Sequence, residues 1–274
     1  MSVLQFFYYT KVHRGDIELQ KIYKMNMGII KSIMVWIIGL CYIGILFPLS
    51  FVLWLLVLPF DRERVVIHWV LMYQSLLLVR IVPIWNIESE GREKATKGTA
   101  FVIISNHQSI LDILFVNYLR YKFKWVSKIE NIKIPVLGWY LRMAGYIIIN
   151  RGNEESKTEM LEKSYECLKR GISVMIFPEG TRSIDKQIGF FKRGAFQLAL
   201  KADVPILPIL IDGTGDILPK HGLVFGCGHN IRIKVLDPVL PQSFNSSNPD
   251  DLALKISSLM TMELQELRAQ GIAR

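Results

Sequence analysis

The sequence predicts an α/β sandwich with a central mixed sheet, preceded by an apolar helical membrane anchor. Three observations predict it. After Gly91, short β-branched runs alternate with amphipathic stretches, the pattern of strands layered with helices. Before it, Ser32 to Phe60 contains no charged side chain. The 274 residues accommodate one well-buried domain plus an appendage, so the expected division is 1–90 for the anchor and 91–274 for the α/β domain.

The uncharged run exceeds the roughly 20 residues that span a bilayer. It follows Lys11, Arg14, Lys21, Lys24 and Lys31, too late for a secretory leader, and has no small-residue cleavage site. Arg62, Arg64 and Arg80 come after it, so a single span would place one basic flank on the wrong side. A second apolar stretch, Val65 to Trp85, is interrupted only by His68, Gln74 and Arg80. The expectation is a helical pair that enters the membrane and returns, bent at Pro48 or at Asp61-Arg62, with both ends cytoplasmic. One tilted span is the alternative.

Downstream, strands are expected at Ala100 to Ser105, Phe123 to Ser127, Tyr146 to Asn150, Ser173 to Phe177, Ile206 to Ile211 and Ile231 to Leu236. Helices are expected at Ile110 to Leu119, Val136 to Met143, Glu155 to Arg170, Gly194 to Lys201 and Pro249 to Gln270. In such folds ligands gather where strands end and helices begin.

The formal net charge of +9 points to an anionic membrane surface or anionic substrates. Nucleic acid is disfavoured, because the basic residues are dispersed and no recognised binding signature is present. Cys41, Cys167 and Cys227 are far apart, which fits a reducing compartment. Cys227, His229 and His221 share a glycine-rich loop where zinc is conceivable, although ordinary loop chemistry is favoured. Gly213-Thr214-Gly215 lacks the lysine and spacing of a P-loop, which argues against nucleotide binding.

The chemistry concentrates at strand ends. Asn106-His107-Gln108-Ser109-Ile110-Leu111-Asp112 puts an imidazole in a turn and a carboxylate in the following helix. A carboxylate holding one ring nitrogen leaves the other free to take a proton, as a general base does. Alternatively His107 caps the turn and Asp112 favours the helix N-terminus. Phe177-Pro178-Glu179-Gly180-Thr181-Arg182-Ser183 leaves a strand tightly and directs hydroxyls and a guanidinium to one place, which suits an anion. Glu179 is a poor anion ligand, expected to bind a hydroxyl or orient Arg182. Arg151, in Ile148-Ile149-Asn150-Arg151-Gly152, and Lys128 also follow strands, and Lys192-Arg193 add charge beyond the arginine turn. Val204-Pro205-Ile206-Leu207-Pro208-Ile209 reads as core or an acyl-chain wall.

In this order and spacing, N-H-Q-S-I-L-D, I-I-N-R-G, F-P-E-G-T-R-S and V-P-I-L-P-I resemble the four motifs of the glycerolipid acyltransferases, most closely the 1-acylglycerol-3-phosphate acyltransferases. The resemblance covers Ala100 to Ile211. It implies that His107 and Asp112 form the catalytic pair and that Arg151, Glu179, Gly180, Thr181 and Arg182, with Lys128, bind the acceptor's phosphate. Asn150 departs from the family pattern and leaves acceptor preference open. The implied reaction moves an acyl group from acyl-CoA or acyl-carrier protein to the 2-hydroxyl of lysophosphatidic acid, forming phosphatidic acid. It needs no metal or cofactor. The implied place is the cytoplasmic face of a membrane, a bacterial inner membrane before an organelle. Rival readings are another lysolipid acceptor, a catalytically silent lipid-binding protein, and a serine hydrolase, the last weakened by the lack of G-x-S-x-G.

Overall fold

A computed structural model describes residues 3–82, 85–226, 229–244 and 247–272. Helix α1 (Val3–Val57) continues through Pro48, and the chain reverses in the turn around Asp61 before α2 (Val65–Ile81). Asp61 sets that reversal: its two carboxylate oxygens accept the Val65 and Val66 N–H groups at 2.8 Å, satisfying open donors at the start of α2. Of the two expected bends, the one at Asp61-Arg62 is observed.

The strands are β1 (Trp85–Glu90), β2 (Val102–Ser105), β3 (Phe123–Lys128), β4 (Ile147–Ile149), β5 (Ser173–Ile176), β6 (Ile206–Asp212) and β7 (His229–Val235). Between and after them come α3 (Asp112–Tyr118), α4 (Leu137–Met143), α5 (Glu154–Lys169), α6 (Gly194–Ala202), the single turn α7 (Thr214–Ile217) and α8 (Pro249–Ile272). The sheet order is β1-β7-β6-β2-β5-β3-β4. From β6 to β4 the strands are mutually parallel, and β7 joins β6 antiparallel and β1 parallel, so the sheet is mixed.

Both faces of the sheet are covered, which is why β2 and β5 read as continuous apolar runs. Alternation along β2 sends Val102 and Ile104 into one layer with Val174, Phe196 of α6 and Met260 of α8. Phe101 and Ile103 enter the other with Met175, Phe115 of α3 and Val79 of α2. Phe115 and Phe196 are fully buried, a contribution of about 2 kcal/mol each.

The single turn α7 is not among the expected helices, and β1 and α3 also differ from the sequence expectation. β1 lies upstream of Gly91, so the sheet takes an edge strand from before the expected boundary. Only Trp85 and Ile87 of this strand are partly buried, too faint an alternation to mark it. The helix expected from Ile110 begins at Asp112, because the Asp112 carboxylate takes the Gln108 and Ser109 N–H groups and holds the preceding residues as a loop. The V-P-I-L-P-I run is core: Ile206 to Ile211 are buried in β6 and do not line the cleft described below.

Gly28–Val57 of α1 is long and apolar enough to cross a membrane. Ile33, Ile37, Leu40, Leu49 and Leu56 are all exposed along it, the surface of a membrane-associated helix. Lys124 of β3 fastens the helical pair to the domain, donating to the Glu63 and Ala144 carbonyls at 2.6 Å. Burial lowers its pKa from 10.5 to about 8. Above about pH 8 the folded chain releases this proton while the unfolded chain keeps it, so the lysine's contribution to stability rises with pH up to about 10.5. Thermal unfolding of wild type and Lys124→Met should therefore diverge in the wild type's favour between pH 8 and 10. A gap that narrows over this window refutes the assignment.

Candidate active site

The site lies at the C-terminal ends of β2, β5 and β6, where parallel strands leave room for a ligand. His107 follows β2, and its Nδ1 is 2.7 Å from Asp112 Oδ2 at the start of α3. Asp112 is fully buried, and a buried carboxylate needs donors to stay in place. Four meet it: His107 Nδ1–H, the Gln108 N–H at 2.8 Å and the Ser109 N–H at 2.9 Å reach Oδ2, while the Thr214 hydroxyl reaches Oδ1 at 2.5 Å. His107 Nε2 has no protein hydrogen-bond partner among the described residues, and the ring lines a cleft. The imidazole also stacks flat on Phe177, with ring centroids 3.9 Å apart and planes 10° apart, and Phe177 stacks on Trp125.

Asn106 locks the loop to β6 by pairing its amide with the Ile211 backbone at 2.8 and 2.9 Å. Glu179 locks it to the arginine turn. Its Oε1 accepts the His107 N–H at 2.9 Å, its Oε2 accepts the Gly189 N–H at 3.1 Å, and the His107 carbonyl accepts the Ser183 N–H at 2.7 Å. The expectation that Glu179 binds a hydroxyl or orients Arg182 is corrected: both its oxygens hold backbone, and it is not part of the cleft lining. Burial raises its pKa above the ordinary carboxylate value.

The cleft has a volume of about 1110 Å³. One end is cationic and the other apolar. At the cationic end lie Lys128, Arg151, Gly180, Thr181, Arg182, Lys192 and Arg193. Arg151 is partly committed, donating to the Gly180 carbonyl, and Lys128 pairs with Glu130 at 2.9 Å. Arg182 has no side-chain partner among the described residues. Gly180 has φ +70, and a Cβ there would sit 3.0 Å from Lys192 Nζ, so glycine permits both the turn and the approach of the lysine. The apolar end runs between the helical pair and α3, past Tyr42, Ile43, Leu71, Leu78, Ile113 and Leu114.

The structure thus brings His107, Lys128, Arg151, Gly180, Thr181 and Arg182 to one cleft, with Asp112 holding His107 and Glu179 as a brace behind it. Phe177 and Thr214 are the partners of the His107–Asp112 pair that sequence reasoning did not assign. Phe177 was visible only as the first letter of its motif, and Thr214 carried no local signal. Cys227, weighed as a zinc ligand, lies outside the described residues.

A helical pair docked on a mixed α/β sandwich, with a carboxylate-held histidine lining a cleft of cationic and apolar side chains, is the architecture of an acyltransferase domain. A family model described as Acyltransferase matches residues 86–212. A chloroplastic 1-acyl-sn-glycerol-3-phosphate acyltransferase of Arabidopsis thaliana is 39% identical over 162 residues, 59% of this chain and 46% of the relative. The human 1-acyl-sn-glycerol-3-phosphate acyltransferase alpha is 30% identical over 200 residues, 72% of this chain and 70% of the relative. The crystal structure of the 1-acyl-sn-glycerophosphate acyltransferase from Thermotoga maritima superposes with a TM-score of 0.72 at 26% identity, covering 90% of this chain and 98% of the other. The chain belongs to the glycerolipid acyltransferase family. It spans about half the length of the plant and algal relatives it matches.

Proposed function

We propose that this protein transfers an acyl group from the thioester of acyl-CoA or acyl-carrier protein to the 2-hydroxyl of 1-acyl-sn-glycerol 3-phosphate, forming phosphatidic acid. The observation that carries this reading is that His107, oriented by Asp112, lines one cleft together with a set of cations and a set of apolar side chains. Arg182, Arg151 and Lys128 take the acceptor's phosphate, and the apolar arm takes acyl chain. A planar guanidinium can meet two phosphate oxygens at once.

With the phosphate seated, His107 Nε2 accepts the proton of the 2-hydroxyl as its oxygen attacks the thioester carbonyl. Asp112 holds the ring through Nδ1 and stabilises the imidazolium that forms. When the tetrahedral intermediate collapses, the carbon–sulfur bond breaks and the imidazolium returns its proton to the departing thiolate. The thioester is already activated, so no covalent enzyme intermediate is required. The Phe177 face keeps the ring in one plane throughout.

The helical pair enters the membrane and returns, with both ends cytoplasmic. Ser32 Oγ accepts the Phe225 N–H at 2.7 Å and Trp36 donates to the Leu223 carbonyl at 2.9 Å, while Phe47 packs edge-on against Tyr140 and Trp139. From Ser32 to Phe47 the helix is thus held against the domain for roughly 22 Å, which favours a re-entrant pair over a span leading away from it. Protease protection in sealed vesicles should leave Lys11 and the catalytic domain equally accessible. Finding them on opposite faces overturns this topology.

The function is tested by giving detergent-solubilised protein a labelled acyl-CoA with lysophosphatidic acid or lysophosphatidylcholine, with His107→Ala as control. Phosphatidic acid from the wild type alone is the expected result. Product only from lysophosphatidylcholine moves the acceptor to a larger lysolipid. Silence with both acyl-CoA and acyl-carrier protein donors overturns the enzyme reading.

A further inference from the structure

Asp212-Gly213-Thr214-Gly215 has no part in the reaction as described, yet it grips the His107 loop from behind. We infer that Thr214 is a positioning residue for the reaction, fixing the Asp112 carboxylate through its hydroxyl so that the other oxygen meets His107. The inference rests on the general-base reading of His107.

Thr214 is fully buried and 102 residues from Asp112 in sequence. Three of the donors to Asp112 converge on Oδ2, and Thr214 alone among the described residues meets Oδ1. Rotation about the Cβ–Cγ bond moves both oxygens together, so the bond at Oδ1 adds to the three at Oδ2 in fixing the carboxylate plane, and it satisfies an oxygen that would otherwise be buried without a donor. The Thr214 hydroxyl therefore helps to hold Oδ2 in place from the opposite oxygen, and Oδ2 sets the plane and tautomer of the imidazole.

The rest of the turn places that hydroxyl. Gly213 has φ +93, and a Cβ there would lie 2.2 Å from the Asn230 carbonyl, so only glycine lets the chain pass β7 and enter α7. Asp212 anchors the segment at its other end, accepting from Arg232 at 3.0 Å and from Arg268 of α8 at 2.9 Å. The C-terminal helix thereby braces the turn that orients the catalytic pair.

The test measures kcat and acceptor KM for wild type, Thr214→Val, Thr214→Ser and His107→Ala, using the full chain in detergent with lysophosphatidic acid and saturating acyl-CoA. Thr214→Val keeps the shape and removes the donor. Its kcat should fall about tenfold with KM unchanged, the loss of a hydrogen bond to a charged group. Thr214→Ser, which keeps the hydroxyl, should stay within about twofold of wild type. If the valine variant does not fold, as judged by thermal unfolding, Thr214→Ala is read in its place. Wild-type kcat in the variant lacking the hydroxyl, with His107→Ala silent, overturns this inference alone. An equal loss in the serine and valine variants also overturns it, because packing of the methyl group would then account for the effect. Turnover in His107→Ala within about tenfold of wild type overturns the general-base reading and this inference with it.

Discussion

Replacing His107 with alanine should lower kcat by on the order of 10²- to 10⁴-fold while leaving acceptor binding nearly unchanged, because a positioned general base supplies that much of the rate. The imidazole contributes a proton acceptor, Nε2, and no charge that the acceptor's phosphate requires. Its removal also uncovers one face of Phe177, which is itself backed by Trp125 and keeps its place. Parallel measurement of kcat with varied thioester and of lysophosphatidic acid affinity checks both halves of the statement. A variant that binds poorly but turns over normally at saturation contradicts the role.

Arg182→Ala should produce the opposite division, a rise in acceptor KM of about a hundredfold with kcat reduced much less. The cause is the loss of a charge-assisted, two-point contact to phosphate. Arg182 is the cleaner probe of the cationic end. Arg151 also supports the Gly180 carbonyl and Lys128 is paired with Glu130, so their removal disturbs protein contacts as well. An arginine variant with unchanged KM and lost kcat would show that this side chain acts on the reacting centre and not on the phosphate.

The histidine–carboxylate pair and the cationic end of the cleft were legible in the sequence for different reasons. The His107–Asp112 pair spans only five positions, so its geometry follows from one turn entering one helix. The cations were legible as a set because each follows a strand, and parallel strands deliver their ends to a common edge. Glu179 was misread for a physical reason: a carboxylate within an arginine-bearing turn resembles an ion-pair partner. Its acceptors are filled by two N–H groups from other segments, one of them 72 residues away. β1 was missed because an edge strand with one half-buried face barely alternates.

The sequence by itself determined the motif order, the apolar anchor and the pairing of His107 with Asp112, because each is written in neighbouring residues through local geometry and composition. Only the tertiary structure decided what surrounds them. The order β6-β2-β5 brings Thr214 to Asp112 from 102 residues away and Phe177 to His107 from about 70 residues away. No local pattern records such a meeting, because it depends on which strands become neighbours. That pairing is selected by burial of both sheet faces over the whole chain.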